Sequence, residues 1–284
     1  MKALFLGGDL RQKYACDFLK KNGIDSEYYL DFILDETMKN KIKNATIICF
    51  PTPFAKNEIY LSIEGANLIK IDDIFSLIEE NKVIFGGKLT KSAKSHLINL
   101  KCAYIDFLDL ETFQIQNALL SAEGAIYYAK QRLEKSIFGL DIAVLGFGRI
   151  GKILAYLLHL QGAKITVCAR RESDYAWSKM IGFTGFLIKV SDNTTNLNMI
   201  NKKYDLIFNT VPDWIMDEKF AQSSNSDTMI IDLASYPYGV DELLVKKYNL
   251  NYYRELGIPG RYAPKTAGQI IGEAILNNIS IKEE

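Results

Sequence analysis

The sequence predicts an α/β fold of two Rossmann-like, doubly wound parallel-sheet domains with a cleft between them. Three observations carry this expectation. Short apolar runs alternate with amphipathic stretches along the chain, the pattern of parallel strands joined by crossover helices. The 284 residues are enough for two ordinary domains. One strand-to-helix turn has the spacing Gly-x-Gly-x-x-Gly, at Gly146, Gly148 and Gly151.

The elements follow in order. Lys2–Leu6 reads as a strand and Arg11–Asn22 as a helix, stopped by Gly23, with Tyr14, Phe18 and Leu19 as its apolar stripe. Strands read at Ala45–Phe50, Val83–Phe85 and Cys102–Asp106, with a helix over Thr90–Ile98 between the last two. Gly7-Gly8-Asp9 at the first turn is an incomplete dinucleotide fingerprint. Ser121–Leu133 reads as a long helix joining the domains, opened by Asn117 to Glu123, and Gly139 ends the connection. A second cycle has a strand over Asp141–Leu145, a helix over Arg149–Gln161, a strand over Lys164–Ala169 and a helix near Ser173–Met180. Later strands read at Asp205–Asn209 and Met229–Asp232, and Ser191–Asn198 and Gln222–Asp227 read as surface loops. The chain closes with a loop from Gly257 to Pro264 and a helix over Lys265–Asn278 that crosses back. The expected domains are therefore residues 1–118 plus 265–284, and residues 119–264.

Composition removes several function classes. With 48% hydrophobic and 24% charged residues the chain is neither disordered, collagenous nor a coiled coil. Lys plus Arg and Asp plus Glu each number 34, so no basic face points to nucleic acid. No apolar run approaches the roughly 18 residues that span a bilayer. The apolar start breaks at once into Asp9-Leu10-Arg11, which does not read as a signal peptide, so a cytoplasmic protein is expected. Cys16, Cys49, Cys102 and Cys168 form no CxxC pair and read as buried thiols of a reducing compartment. The two histidines, His96 and His159, have no metal-ligand spacing and neither sits on a turn after a strand. A zinc site and a histidine-dependent hydrolase are therefore not expected. A homo-oligomer is compatible with all of this.

The nucleotide site is expected at Ile142 through Gly151, where the fingerprint follows a strand and opens a helix. Gly146 makes the tight turn, Gly148 lets the backbone approach a pyrophosphate, and Gly151 lets helix and strand pack closely. Arg149 and Ile150 lie in the helix's first turn, whose free N–H groups and dipole favour phosphate. The alternative is a purely structural glycine turn. At the next strand end, Cys168-Ala169 runs into Arg170 and Arg171 where NAD-binding folds place an acidic residue. An arginine there pairs with a 2′-phosphate, so NADP is expected over NAD. The alternative leaves both arginines in solvent, with Glu172 or Asp174 on the ribose. Thr210, Val211 and Pro212 follow a buried strand where the chain would pass the nicotinamide ribose. Asp232 ends the next strand, either at the cofactor or as a strand-end cap.

Three further segments exceed what packing asks for: Gly8 to Gln12, Asn117 to Glu123, and Arg261 to Thr266. Lys265 falls in a helix's first turn, where the macrodipole disfavours a cation unless an anion is near; the alternative is a lysine in solvent. These segments, with Gly7-Gly8-Asp9, Ser121-Ala122-Glu123-Gly124-Ala125-Ile126, the fingerprint, Asn209-Thr210-Val211-Pro212, Ile231-Asp232-Leu233-Ala234-Ser235 and Gly257 through Gly268, occur in the order that resembles the A subunits of dipicolinate synthase. Tyr236-Pro237-Tyr238-Gly239 departs from a more glycine-rich turn of that family.

The resemblance implies a cytoplasmic enzyme of the mother cell of spore-forming bacteria. Such an enzyme oxidises dihydrodipicolinate, an intermediate of the lysine pathway, or its hydrated precursor, to pyridine-2,6-dicarboxylate. It also implies a flavoprotein-like B subunit as partner. For a dicarboxylate substrate, Arg11 with Gln12 and the Gly8-Asp9 backbone suits one carboxylate, and Arg261 with Lys265 and Thr266 the other. Ser121 completes the expected substrate contacts, and Glu123 or Asp9 would accept the proton. The layout also fits D-2-hydroxyacid dehydrogenases, but no histidine follows residue 159 to serve as their acid. A nucleotide-sensing, non-catalytic subunit is the remaining alternative.

Overall fold

A computed structural model describes residues 1–191, 194–197 and 204–279 of the chain. Contacts divide it into two compact units, Met1–Asn117 with Pro259–Glu284, and Ala118–Ile258. The expected borders at 118 and 264 thus stand against 117 and 258. Residues 280–284 of the expected returning segment lie outside the described residues.

In the first unit the chain runs through β1 (Lys2–Leu6), α1 (Leu10–Lys21), β2 (Asp25–Tyr29), α2 (Glu36–Asn44) and β3 (Ile47–Cys49). A two-stranded hairpin, β4 (Ala55–Lys56) with β5 (Tyr60–Leu61), and the short helix α3 (Ile71–Phe75) follow. Then come β6 (Val83–Gly86), α4 (Lys91–Asn99) and β7 (Ala103–Asp106). The five strands pair in parallel in the order β2-β1-β3-β6-β7. Under this sheet Phe50, Phe54 and Phe75 are buried together, with the Phe50 and Phe54 rings edge to face at 5.1 Å. Asp9 caps α1 by accepting the Arg11 N–H, and Thr90 caps α4 by accepting the Ala93 N–H.

Sequence reading overlooked β2, because Asp-Ser-Glu-Tyr-Tyr has no apolar run. It is an edge strand held by polar groups instead. Glu27 accepts from Lys2 at 2.8 Å, from Lys41 and from the Tyr29 hydroxyl at 2.5 Å. Those donors hold the Glu27 carboxyl down at about 2, from an ordinary 4.5.

The second unit starts inside α5 (Glu111–Arg132) and continues through β8 (Asp141–Leu145), α6 (Arg149–Leu160), β9 (Lys164–Ala169), α7 (Glu172–Ile181) and β10 (Thr184–Leu187). After the small antiparallel pair β11 (Val190–Ser191) and β12 (Thr194–Thr195) come β13 (Leu206–Asn209), α8 (Glu218–Ser223) and β14 (Met229–Asp232). The unit closes with α9 (Glu242–Lys247) and β15 (Tyr252–Arg254). Six strands pair in parallel in the order β10-β9-β8-β13-β14-β15. The chain then runs through α10 (Ile258–Tyr262) into α11 (Pro264–Leu276).

The structure corrects three expectations. The joining helix begins at Glu111, so Asn117 to Glu123 lie in its middle and open nothing. No glycine or proline interrupts 111–123, and buried Phe113, Ala118, Leu120, Ala122 and Ala125 fall around the helix, which blurs its period. The stretch 257–264 is mostly the helix α10, not a loop. Within Ser191–Asn198 the described residues include strand pairing, and residues 192, 193 and 198 lie outside them. All four cysteines are buried, and burial pushes the Cys16 thiol to about 11 and Cys168 to about 12.

The return of α11 onto α1 depends on two glycines one helical turn apart. A Cβ on Gly268 would stand 2.5 Å from the Tyr14 Cβ and 2.6 Å from the Arg11 carbonyl oxygen; one on Gly272 would stand 2.5 Å from the Phe18 ring. Because Gly268 meets Arg11, Tyr14 and Ala15 while Gly272 meets Phe18, the helices run side by side in the same direction.

Two outcomes are expected. In an open helix Gly→Ala gains about 1 kcal/mol, but Gly268→Ala is expected to lose about 1–3 kcal/mol in urea unfolding, because backbone would have to move. Glu27 contributes stability that is complete above its ordinary 4.5 and is lost as pH falls toward about 2. Glu27→Gln should therefore flatten the acid limb of a pH–stability curve in that window.

Candidate functional site

The turn between β8 and α6 has the geometry a dinucleotide asks of it. Gly146 sits at φ +93°, and a Cβ there would lie 2.4 Å from the Thr210 Oγ1. A Cβ on Gly151 would lie 2.2 Å from the Gly146 carbonyl oxygen, so only glycine lets α6 start this close to the turn. Gly148 differs from both. It caps α6 without a side-chain acceptor, and nothing stands within 4 Å of where its Cβ would be. The N-terminus of a 12-residue helix thus opens onto free space, with Arg149 exposed and Ile150 half-buried beside it.

The neighbouring strand end closes one side of this turn. The Thr210 backbone N–H and hydroxyl both donate to the Leu145 carbonyl at 2.9 Å, and the Val211 Cγ2 would lie 2.9 Å from a Cβ on Gly146. Thr210 and Val211 are half-buried and Pro212 is exposed. Asn209, one residue earlier, is buried; its Nδ2 donates to Asp232 at 2.8 Å and its Oδ1 accepts the Val211 N–H.

Asp232 takes the cap alternative and not the cofactor role expected of it. It is fully buried, and its carboxylate accepts from Asn209, from the Ala234 and Gly239 N–H groups, and from the Tyr252 hydroxyl at 2.7 Å. Four donors occupy its two oxygens, which leaves no acceptor for a ribose. Burial raises the Tyr252 phenol well above its ordinary range, and the bond to Asp232 adds to the rise.

The two arginines after β9 separate. Arg171 donates from Nε to Asp174 at 2.7 Å, and Lys152 approaches the same carboxylate at 3.8 Å. Asp174 is itself buried, and its Oδ2 is engaged by Arg171. Arg170 is 65% exposed and only 3.7 Å from the exposed Asp213, a contact too long and too wet to fix it.

In the first unit, Asp9 and Arg11 are brought together. The Arg11 Nε donates to both Asp9 oxygens at 2.9 and 3.0 Å, and Nη2 donates to Asp9 at 2.7 Å and to the Thr52 carbonyl at 2.6 Å. Gln12 is buried and donates to the Phe50 carbonyl at 2.9 Å. Arg261, Lys265 and Thr266 are all exposed, Arg261 in the last turn of α10 and Lys265 in the first turn of α11. Gly260, next to Arg261, packs on the Asp9–Arg11 pair. Ser121 and Glu123 belong to the second unit. Ser121 is buried within α5, and Glu123 is half-buried with no hydrogen bond or ion pair among the described residues.

Sequence reading missed Thr52 and Tyr252. Thr52 contributes its backbone carbonyl, which any residue type could supply. Tyr252 begins a half-buried strand whose partner, Asp232, is 20 residues away. Among the described residues no group of three or more His, Cys, Asp or Glu side chains could hold a metal. No helix among them is long and apolar enough to cross a membrane.

Comparison with known proteins adds to this geometry. The ketopantoate reductase PanE/ApbA family model matches residues 142–231, the stretch from β8 to β14. The dipicolinate synthase A subunit of Bacillus subtilis (strain 168) is 31% identical over 193 residues, covering 68% of this chain and 63% of that protein's length. The crystal structure of the Bacillus subtilis protein aligns over 99% of this chain and 96% of its own, with a TM-score of 0.83 and 26% identity. Its counterpart from Bacillus halodurans gives 0.84 at 24% identity, over 97% and 96%. D-lactate dehydrogenase from Escherichia coli shares the fold at 0.67 and 13% identity, over 100% and 97%. The fold is thus of dehydrogenase type.

The open space at Gly148 makes a sharp test. Gly148→Ala is expected to leave the melting temperature unchanged, and to weaken dinucleotide binding roughly tenfold if the open space there takes the phosphates. Gly151→Ala is expected to lose both stability and binding, since its methyl meets backbone. Thermal melts and cofactor titration of the two variants check this.

Proposed function

The chain belongs to the family of the dipicolinate synthase A subunits, and from that membership we propose that it oxidises dihydrodipicolinate, or its hydrated precursor, to pyridine-2,6-dicarboxylate with NADP. The observation that carries the reading is the turn at Gly146–Gly151, where a helix N-terminus faces open space over the second residue of the fingerprint. Those residues fit a pyrophosphate, and Thr210 and Val211 border the same turn.

A bound nicotinamide would supply the hydride acceptor that a dihydropyridine ring needs to become aromatic. The chain's own task is then to position a dianion and to remove one proton. Gly146, Gly148, Gly151 and the first turn of α6 hold the diphosphate. Arg170 is suited to a 2′-phosphate, because it directly follows β9 and among the described residues its guanidinium is held by no strong acceptor. Arg11 supports one carboxylate of the substrate, and Arg261 with Lys265 and Thr266 the other. Glu123, half-buried and without a partner among the described residues, suits the proton acceptor better than Asp9, whose two oxygens are both engaged by Arg11. The family name implies a second subunit, and we place the protein with a flavoprotein-like B subunit in the cytoplasm of a sporulating mother cell.

The isolated chain is expected to reduce NADP on addition of dihydrodipicolinate, and to form pyridine-2,6-dicarboxylate in equal amount. A chain that binds the cofactor yet turns over only when the B subunit is present would instead be the sensing or scaffold component. Arg170→Ala is expected to weaken NADP by about tenfold while leaving NAD binding unchanged. Equal losses for both cofactors would remove Arg170 from the 2′-phosphate.

A further inference from the structure

We infer that Asp9 is a positioning residue and not a base: with the Thr52 carbonyl it aims the Arg11 guanidinium so that the Nη1 end receives a carboxylate at the head of the first sheet. The inference rests on the proposed function for the identity of the ligand alone.

Topology chooses the place. In the order β2-β1-β3-β6-β7 the connection leaving β1 goes to one side of the sheet and the one leaving β3 goes to the other. The segments after these two adjacent strands, Gly7 to Asp9 and Phe50 to Thr52, therefore diverge at the carboxyl ends, where open α/β sheets bind ligands.

Hydrogen-bond accounting chooses the role. A guanidinium has five N–H donors in a fixed fork. Nε and Nη2 are spent on Asp9 and on the Thr52 carbonyl. The two N–H groups of Nη1 have no partner among the described residues, so the fork is held by one edge and presents the opposite end. Both Asp9 oxygens are engaged by Arg11 in turn. Its Oδ1 accepts the Arg11 backbone N–H and Nε, and its Oδ2 accepts Nε and Nη2. Three N–H groups of Arg11, with Nε–H shared between the two oxygens, commit the carboxylate to the guanidinium and not to a proton acceptor's work.

Packing keeps the pair in place. Its two side chains are only 14% and 21% exposed. A Cβ on Gly260 would lie 2.9 Å from the Arg11 Nε and 3.1 Å from the Asp9 Oδ2, so α10 roofs the pair only because residue 260 is glycine. Gln12 Oε1 and Thr52 Oγ1, on the two residues next to this arrangement, are buried without a hydrogen-bond partner among the described residues.

Asp9→Asn tests the inference, because asparagine caps a helix as well as aspartate but cannot hold a guanidinium fork. Calorimetric titration with pyridine-2,6-dicarboxylate is expected to show binding weakened roughly tenfold or more, with NADP binding unchanged. The substrate KM should rise while the pH profile of kcat keeps its shape. Loss of the acidic limb of that profile with KM unchanged would make Asp9 the base and overturn the inference, as would full wild-type binding by the variant. If Asp9→Asn does not fold, Arg11→Lys decides, since lysine keeps the charge but lacks Nη1, and an equal loss of affinity is expected. The same titrations with pyridine-2-carboxylate and benzoate separate this inference from the proposed function. Carboxylate binding that depends on Asp9 in a chain inactive on dihydrodipicolinate would retain the inference and reject the reaction. A wild-type chain that binds no carboxylate would reject the inference.

Discussion

The close approach of α6 to the end of β8 is the constraint on which the rest of the second unit depends. The Gly146 carbonyl sits where any side chain at residue 151 would be, so helix and turn are in backbone contact. That contact fixes the direction in which α6 points its N-terminal N–H groups, and those groups lie under the open space at Gly148. Thr210, Val211 and the Asn209–Asp232 pair are arranged around this turn. A looser helix would leave the same residues without a shared focus, because a helix N-terminus favours an anion only within its first turn.

Three carboxylates near strand ends serve as structural acceptors. Asp232 gathers two backbone N–H groups, an amide and a phenol at the end of β14, and so fixes the segment from Ala234 to Gly239. Asp9 gathers a backbone N–H and a guanidinium at the end of β1. Asp106 does the same at the end of β7, accepting from the N–H groups of Lys88, Leu89 and Leu108. Each stands where a parallel strand ends and the backbone turns away, leaving N–H groups that need an acceptor. Such residues resemble catalytic acids in a sequence, because position alone cannot tell an occupied lone pair from a free one.

The legibility of the elements follows the same physics. Lys2–Leu6, Asp141–Leu145, Lys164–Ala169 and Met229–Asp232 are buried parallel strands, and each could be read to the residue because burial on both faces demands an unbroken apolar run. The edge strands β2, β10 and β15 could not be read that way. They pair on one side only and carry half-buried residues, so their sequences look like loops. The first half of α5 was lost for a different reason: buried positions lie around it, and no single stripe betrays the period.

By itself the sequence determined the class of fold, the dinucleotide turn and the family, since these rest on local spacing: glycines at fixed offsets, and apolar runs of strand length between helical stretches. Only the tertiary structure decided which charged residues remain available for chemistry. Whether Asp232 has an open oxygen depends on donors from Asn209, Gly239 and Tyr252, and how the Arg11 guanidinium is held depends on the Thr52 carbonyl, all brought from elsewhere in the fold. Hydrogen-bond capacity is finite, and only folding reveals where it has been used.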